Sequence, residues 1–212
     1  KMQIRQEYYR VKELLDGKRP SRMDLFTYMD DEIYRICVSG SHAKENPFQQ
    51  YLDFLYELGE LSEDEQKLYA GIGREFIQTI ETTEMQKVYK MPILYSFYNH
   101  GNIRLAVTDE EVLESWKEFF DTGTNWKDFP NVNTYEDYKK VTDKQHLSKA
   151  KRMPIRFLKA SGKGFFVEKD GYALALRDEI GDVVGNMAFG EQMGDVLGYR
   201  SLEYYRRRYE KE

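Results

Sequence analysis

The sequence predicts a mainly α-helical protein with small β-hairpins, in which a helical frame carries two winged-helix-like units. Apolar residues recur at helical spacing throughout residues 1–82, which form the acidic part of the chain. Two later segments share the order helix, proline, short helix, glycine turn and strand, which is the order of parts in a winged helix. We therefore expect an acidic helical domain over residues 1–82, a first winged-helix-like unit over residues 83–133, and a basic winged-helix-like unit with a C-terminal helix over residues 134–212.

The composition indicates which class of protein this is and which kinds of site it excludes. With 41% hydrophobic and 33% charged residues, the 212-residue chain resembles ordinary globular proteins. No apolar run approaches the ~20 residues of a membrane helix, so we expect no membrane partner. The single cysteine, Cys37, excludes an internal disulfide and a thiolate metal site and favours a cytoplasmic setting. His42, His100 and His146 lie in no metal-ligand spacing, which predicts surface or capping roles, no metal site and no cofactor.

Local signals place the helices of the acidic domain. A helix over residues 1–16 is expected to end at Gly17. Apolar residues repeat at helical spacing through residues 21–37 and again through residues 62–80, so we expect one helix in each range. The start signals are the capping box of Ser21 with Asp24, the Asn46–Pro47 pair that begins a further helix, and the capping box of Ser62 with Glu65.

The first winged-helix-like unit is expected to contain two short helices, a strand and a longer helix. Pro92 lacks an N–H donor, so we expect a break just before it and a short helix over residues 92–99. Residues 102–107 alternate in polarity and predict a strand. Thr108 and Glu111 form the capping box of the longer helix.

The basic unit follows the same order. The phrase at residues 90–93, Lys-Met-Pro-Ile, recurs at residues 152–155 as Arg-Met-Pro-Ile, and each copy precedes a short helix, a glycine turn and a strand. We therefore expect a duplicated unit. The predicted elements are a helix capped by Thr142 and Gln145, a break at Met153–Pro154, a turn over residues 161–164, a hairpin of residues 165–168 and 172–176 with Gly171 in its turn, a helix from Asp178, and a C-terminal helix over residues 196–212.

Residues 139–177 concentrate positive charge in an acidic chain. They contain eleven Lys or Arg residues and three acidic residues, a net charge of +8, whereas the whole chain carries −5. Long cationic side chains around a helix start and a glycine turn suit phosphate oxygens, and a cation at a hairpin tip suits a nucleic-acid backbone. The predicted nucleic-acid-binding residues are Lys149, Lys151, Arg152, Arg156, Lys159, Lys163 and Lys169.

Two alternatives remain open for this charge. The basic segment can be a solvated face that pairs with the acidic half or with another protein, which would make the chain a protein–protein or autoregulatory docking module. An unrecognised nuclease or other hydrolase, with carboxylates that converge only in space, is the third interpretation. A second basic cluster at residues 206–208 has Glu203 and Glu210 beside it, which favours simple solvation.

No catalytic motif is complete, so no catalytic residue is assigned. Residues 161–164, Ser-Gly-Lys-Gly, hint at a phosphate-binding loop, but Phe157 stands where the motif requires glycine and Gly164 replaces its Ser or Thr. Residues 31–34, Asp-Glu-Ile-Tyr, have the letters of a helicase acidic box, yet they lie inside an amphipathic helix instead of following a buried strand. We interpret both as chance matches.

Several phrases resemble a known family. Residues 85–120 and 146–177, above all Phe-Leu-Lys-Ala-Ser-Gly-Lys-Gly-Phe-Phe at 157–166, are similar to the C-terminal region of bacterial DEAD/DEAH-type superfamily 2 helicases that carry a phospholipase-D-like nuclease domain. The phrases at residues 19–26 and 204–209 fit the same resemblance. It implies a DNA-processing or defence-related ATPase, whose ATP-binding residues belong to motor domains outside this chain.

This resemblance implies a role for the segment. The chain would be a piece of a longer ATP-dependent helicase-type protein, and by itself a non-catalytic accessory module that binds DNA or regulates the motor. The expected partners are DNA, double-stranded or at a junction, and the motor domains of the same polypeptide. None of the quoted phrases is a catalytic motif, so no residue role is carried over from the family.

Overall fold

The computed structural model describes residues 2–39 and 45–210 and is mainly helical, with one small antiparallel sheet. This confirms the predicted class. The chain divides into two compact units, the first comprising Lys1–Thr82 and Gly185–Arg200 and the second comprising Thr83–Val184 and Ser201–Glu212. The predicted boundary between residues 133 and 134 therefore falls inside the second unit.

The helices follow one another with short connections. In chain order they are α1 Met2–Leu14, α2 Arg22–Tyr28, α3 Asp31–Val38, α4 Tyr51–Leu58, α5 Glu63–Tyr69, α6 Ile72–Thr82, α7 Lys90–Tyr98, α8 Asp109–Asp121, α9 Tyr135–Lys139, α10 Asp143–Ala150, α11 Arg156–Ser161 and α12 Met187–Tyr209. A π-helical segment, Lys151–Ile155, joins α10 to α11, and 3-10 turns lie at Asn99–Gly101, Asn125–Asp128 and Asp178–Asp182. Asp178 thus begins a 3-10 turn, and α12 starts earlier than the expected residue 196.

Aromatic side chains fill the core of the first unit. Ile4, Tyr8 and Val11 lie on the buried face of α1, at the spacing that predicted this helix. The ring of Phe48 stacks on that of Tyr199 with centroids 4.6 Å apart. Each side chain of this size that is removed from water contributes about 1.5–3 kcal/mol, so these contacts account for the packing of α1 in this unit.

Arg22 is a fully buried cation in the first unit. Its guanidinium lies 3.0 Å from Glu81 and 2.9 Å from Asp195, which ties α2 to α6 and to α12. Burial raises the pKa of Glu81 to about 6, although the charge of Arg22 acts in the opposite direction. A buried ion pair of this kind fixes the arrangement of helices more than it adds stability, because both ions have lost their hydration.

Three helix predictions for this unit were wrong in detail. The expected helix over residues 21–37 is two helices, because the Asp30 carboxylate accepts hydrogen bonds from the Glu32 and Ile33 amides and starts α3. The expected helix over residues 62–80 breaks between α5 and α6. Asn46 does not cap a helix at Pro47, since its side chain accepts from the Phe48 amide at 2.9 Å within a turn and α4 begins at Tyr51. By contrast, the capping boxes of Ser21 and Ser62 are confirmed.

The second unit contains the sheet. Its strands are β1 Ala106–Val107, β2 Phe166–Val167 and β3 Leu174–Leu176, in the order β1-β3-β2. The hairpin of β2 and β3 is confirmed, with Gly171 at φ +83° in its turn. β1 is shorter than the expected strand over residues 102–107, and it pairs with β3 instead of forming a hairpin of its own. Residues from both predicted winged-helix-like units therefore share one sheet.

Neither proline breaks a helix, contrary to the sequence prediction. Pro92 lies in the first turn of α7, where an absent N–H donor removes no helical hydrogen bond. Pro154 lies inside the π-helical segment, whose wider hydrogen-bond pattern accommodates the missing donor, so α10 continues into α11. Each copy of the repeated phrase thus lies within a helix that leads to an edge strand of the same sheet.

One buried carboxylate connects distant parts of the second unit. Asp128 accepts hydrogen bonds from the hydroxyls of Tyr204, at 2.8 Å, and Tyr209, at 2.6 Å, and from the Val88 amide at 3.1 Å. Arg208 lies 3.5 Å away. Burial and the carboxylate raise the pKa of both tyrosines, so their hydroxyls remain donors. The end of α12, the segment before α7 and the segment after α8 therefore converge on Asp128.

His146 is buried, not on the surface as predicted. Its Nδ1 accepts a hydrogen bond from Trp116 Nε1 at 3.1 Å, and its ring packs against Phe129 with centroids 5.0 Å apart. Burial is the main cause that lowers the pKa of His146 below 6.5, and the charge of Lys117 adds to it. His100 is exposed, and His42 lies outside the described residues.

Replacing Asp128 by alanine is expected to lower the free energy of unfolding by about 3 kcal/mol, because two tyrosine hydroxyls and a backbone amide lose a buried acceptor. Urea unfolding of the full chain measures this change in the free energy of unfolding. Asp137→Ala, at an exposed position of the same unit, is the matched control and should change stability by no more than about 0.5 kcal/mol. Equal effects of the two substitutions would contradict the role of Asp128.

Stability should fall as pH drops below about 6.5, because the unfolded chain protonates His146 there while the folded state resists protonation until its lower pKa is reached. The contribution is complete above the unfolded pKa and is lost as pH falls through the folded pKa. The free energy of unfolding, measured between pH 7 and pH 5, should change less steeply with pH in His146→Gln than in the wild type. The difference in slope should be up to about 1.4 kcal/mol per pH unit. An unchanged slope in His146→Gln would refute the assignment.

Candidate nucleic-acid interface

The seven predicted site residues all belong to the second unit. We call them the basic face. Lys149 lies in the last turn of α10 and is half-buried, whereas the other six are exposed. Their positions are Lys151 and Arg152 in the π-helical segment, Arg156 and Lys159 on α11, Lys163 in the turn after α11, and Lys169 at the tip of the hairpin.

The helical part of the basic face is a solvent-exposed ridge. Pro154, Ile155 and Leu158 occupy the buried side of the helix, which leaves the cations between them in solvent. Arg152 and Arg156 are four residues apart and therefore neighbours on the helix surface. At a rise of 1.5 Å per residue, the ridge from residue 149 to residue 159 is about 15 Å long. The DNA major groove, ~12 Å wide, admits a helix.

Two cations of the basic face are paired with carboxylates. Lys151 lies 2.5 Å from Asp109, and Lys159 lies 2.9 Å from Glu168. The hydrogen bond from Lys159 lowers the pKa of the exposed Glu168. Both pairs are solvent-exposed and so contribute little to stability, but they reduce the charge that Lys151 and Lys159 present.

The other five cations of the face have no carboxylate partner among the described residues. Among the residues that the structure describes, no carboxylate lies within ion-pair distance of Arg152, Arg156 or Lys163. Lys149 and Lys169 lie near the rings of Tyr89 and Tyr172, at 6.0 and 5.2 Å from the ring centroids. Like charges four residues apart destabilise a helix by a few tenths of a kcal/mol, so Arg152 and Arg156 bring the fold no benefit.

Exposed apolar side chains lie among these cations. Phe157 is 45% exposed, Met153 38% and Val167 36%. None of the three is among the predicted site residues. The spacing did contain a signal, because Ile155 and Leu158 take the buried side of the helix and Phe157 then points outward. The surface is therefore mixed, with guanidinium and ammonium groups around an exposed aromatic ring.

The turn after α11 is closely packed. A side chain at Gly162 would overlap the Leu158 carbonyl and the Phe166 ring. The Gly162 amide donates to Leu158 O and the Phe165 amide to Gly162 O, so neither is available to a phosphate. The turn instead fixes Lys163 in a left-handed conformation, φ +53°, between α11 and β2.

The second basic cluster, at residues 206–208, was interpreted as a solvated face, and the structure pairs its cations with carboxylates. Arg207 lies 2.8 Å from Glu203 and Arg206 lies 3.7 Å from Glu210, both one helical turn away. Arg208 lies near the buried Asp128. The charge of this cluster is therefore offset by neighbouring carboxylates, and the cluster is not part of the candidate interface.

Within residues 2–39 and 45–210, no group of three or more His, Cys, Asp or Glu side chains is placed to hold a metal ion. No described helix is both long and apolar enough to cross a bilayer. Residues 31–34 lie at the start of α3, in agreement with the interpretation that their acidic letters are a chance match.

Comparison of the chain with protein-family models, with curated proteins and with solved structures found no match. The resemblance to superfamily 2 helicases stays a prediction. The candidate interface is interpreted from its own geometry and charge.

Proposed function

We propose that the chain is an accessory DNA-binding module, non-catalytic by itself, whose basic face contacts the phosphates of duplex DNA. The observation that carries this proposal is the exposed, unpaired state of Arg152, Arg156 and Lys163 within the described part of a chain whose net charge is −5. An acidic chain has many carboxylates that can pair with a surface cation, as they do with Lys151 and Lys159. Phosphate groups are the partner that several clustered, unpaired cations suit best.

The shape of the face supports a duplex over a single strand. The ridge of about 15 Å can lie along a groove, and the hairpin tip carries Lys169 to a further point of contact. A junction offers the same backbone spacing in each of its arms. The membership of this module in a larger ATP-dependent helicase-type protein, with its motor domains as partners, rests on the sequence resemblance alone and belongs to the same proposal.

A docking role is the second candidate, and one observation favours it. Met153, Phe157 and Val167 expose apolar surface among the cations, as interface residues do. An acidic protein surface, such as that of a motor domain, would then take the place of DNA. This candidate predicts no DNA binding at physiological salt.

The triple substitution Arg152→Glu, Arg156→Glu and Lys163→Glu tests the DNA proposal. These cations form no ion pair with the described residues, so their reversal should leave the fold intact while it weakens binding to a 20-bp duplex on the order of a hundredfold at about 0.1 M salt. Fluorescence anisotropy with the full chain measures the affinity, and urea unfolding verifies the fold.

The matched control is Lys18→Glu, Lys67→Glu and Lys127→Glu, which changes the net charge by the same amount at exposed positions off the basic face. It should retain most of the wild-type affinity. Equal losses in the two triple variants would show that only net charge matters, and an unchanged affinity in the first would refute the site. Absence of wild-type binding would favour the docking role.

A further inference from the structure

A cleft of about 270 Å³ opens in the second unit, away from the basic face. The last turn of α7, the 3-10 turn Asn99–Gly101 and one side of α8 form its walls. No residue of the basic face lines it. Small-molecule sites are concave and combine apolar or aromatic surface with polar groups. This cleft is concave, and it combines three Tyr or Phe rings with ten polar or charged side chains.

Three aromatic rings form one wall of the cleft. The Tyr95 ring lies 6.2 Å from that of Tyr98, in an edge-on arrangement, and 6.0 Å from that of Phe119. Tyr95 and Tyr98 are half-buried, so part of each ring is accessible from the cleft. The face of an aromatic ring carries negative electrostatic potential and attracts cations.

Three carboxylates of α8 also line the cleft. Glu111, Glu114 and Glu118 follow one another at helical spacing on a single face. Arg104 lies 2.8 Å from Glu111 and His100 lies 3.3 Å from Glu118. Glu114 is exposed and makes no ion pair with the described residues, so negative charge exceeds positive charge at the cleft.

The rim of the cleft is held in a conformation that costs energy. Asn99 and His100 have φ values of +48° and +53°, and Gly101 follows at +95°. Left-handed backbone at residues other than glycine costs of order 1 kcal/mol each, so the surrounding structure must impose it. Arg104 contributes to this: its amide donates to Phe97 O at 2.8 Å and its guanidinium to Ser96 O at 3.1 Å. The groups at the rim are therefore fixed relative to the aromatic wall.

We propose that this cleft binds a small organic cation, an aliphatic compound with an ammonium or guanidinium group. Its hydrocarbon part would pack against Tyr95, Tyr98 and Phe119, and its charged group would lie by Glu114 and Glu118. An anion is disfavoured by the three carboxylates, and the volume of about 270 Å³ suits a small ligand. The inference is independent of DNA binding, because the two sites share no residue.

Calorimetric titration of the full chain with agmatine and with putrescine tests the site. Saturable binding is expected, with a dissociation constant on the order of 1 mM or below. The double substitution Glu114→Gln and Glu118→Gln should weaken it at least about tenfold, since both carboxylates face the cation. Glu110→Gln, on the same helix but not at the cleft, is the control and should leave the affinity unchanged.

A second variant separates ring contact from general electrostatics. Tyr98→Leu keeps apolar volume but removes the π face, so the affinity for both cations should fall severalfold. The free energy of unfolding measured in urea should stay unchanged. Butyrate, which has a similar hydrocarbon chain and a negative charge, should not bind. The proposal is overturned if neither cation gives saturable binding at about 10 mM, or if the double Gln variant binds as the wild type does.

Discussion

Asp128 lies in the interior of the second unit and receives hydrogen bonds from residues that are far apart in sequence. Tyr204 and Tyr209 bring the end of α12 to it, and the Val88 amide brings the segment that leads into α7. The next residue, Phe129, packs on His146, which accepts a hydrogen bond from Trp116 of α8. His146 belongs to α10, the helix that continues into the basic face. The position of the interface therefore depends on a chain of contacts that begins at one carboxylate.

The fold of the helix that carries the basic face does not depend on the cations of that face. The buried side of the α10–α11 helix requires Pro154, Ile155 and Leu158, but it requires none of the cations opposite. Removal of the cations would, if anything, relieve repulsion along the ridge. The cleft shows the reverse polarity, with carboxylates beside aromatic rings. The second unit thus presents two surfaces of opposite charge.

Features that depend on local chemistry could be predicted from the sequence. The capping boxes of Ser21, Ser62, Thr108 and Thr142 formed as expected, because each side chain bonds an amide three residues away. Gly171 likewise marked the hairpin turn.

Features that depend on distant contacts could not be predicted in this way. β1 pairs with a strand some seventy residues later, and the burial of His146 depends on Trp116 and Phe129. The charge of the site was visible in the sequence, but the pairing of Lys151 with Asp109 and the exposure of Phe157 required the fold.

The salt dependence of duplex binding tests the central claim most directly. Five cations of the face form no ion pair with the described residues, so a plot of log K against log salt should have a slope of about −4.5. In the triple Glu variant the magnitude of this slope should be smaller by about 3. A slope near zero, or the same slope in both proteins, would contradict the account.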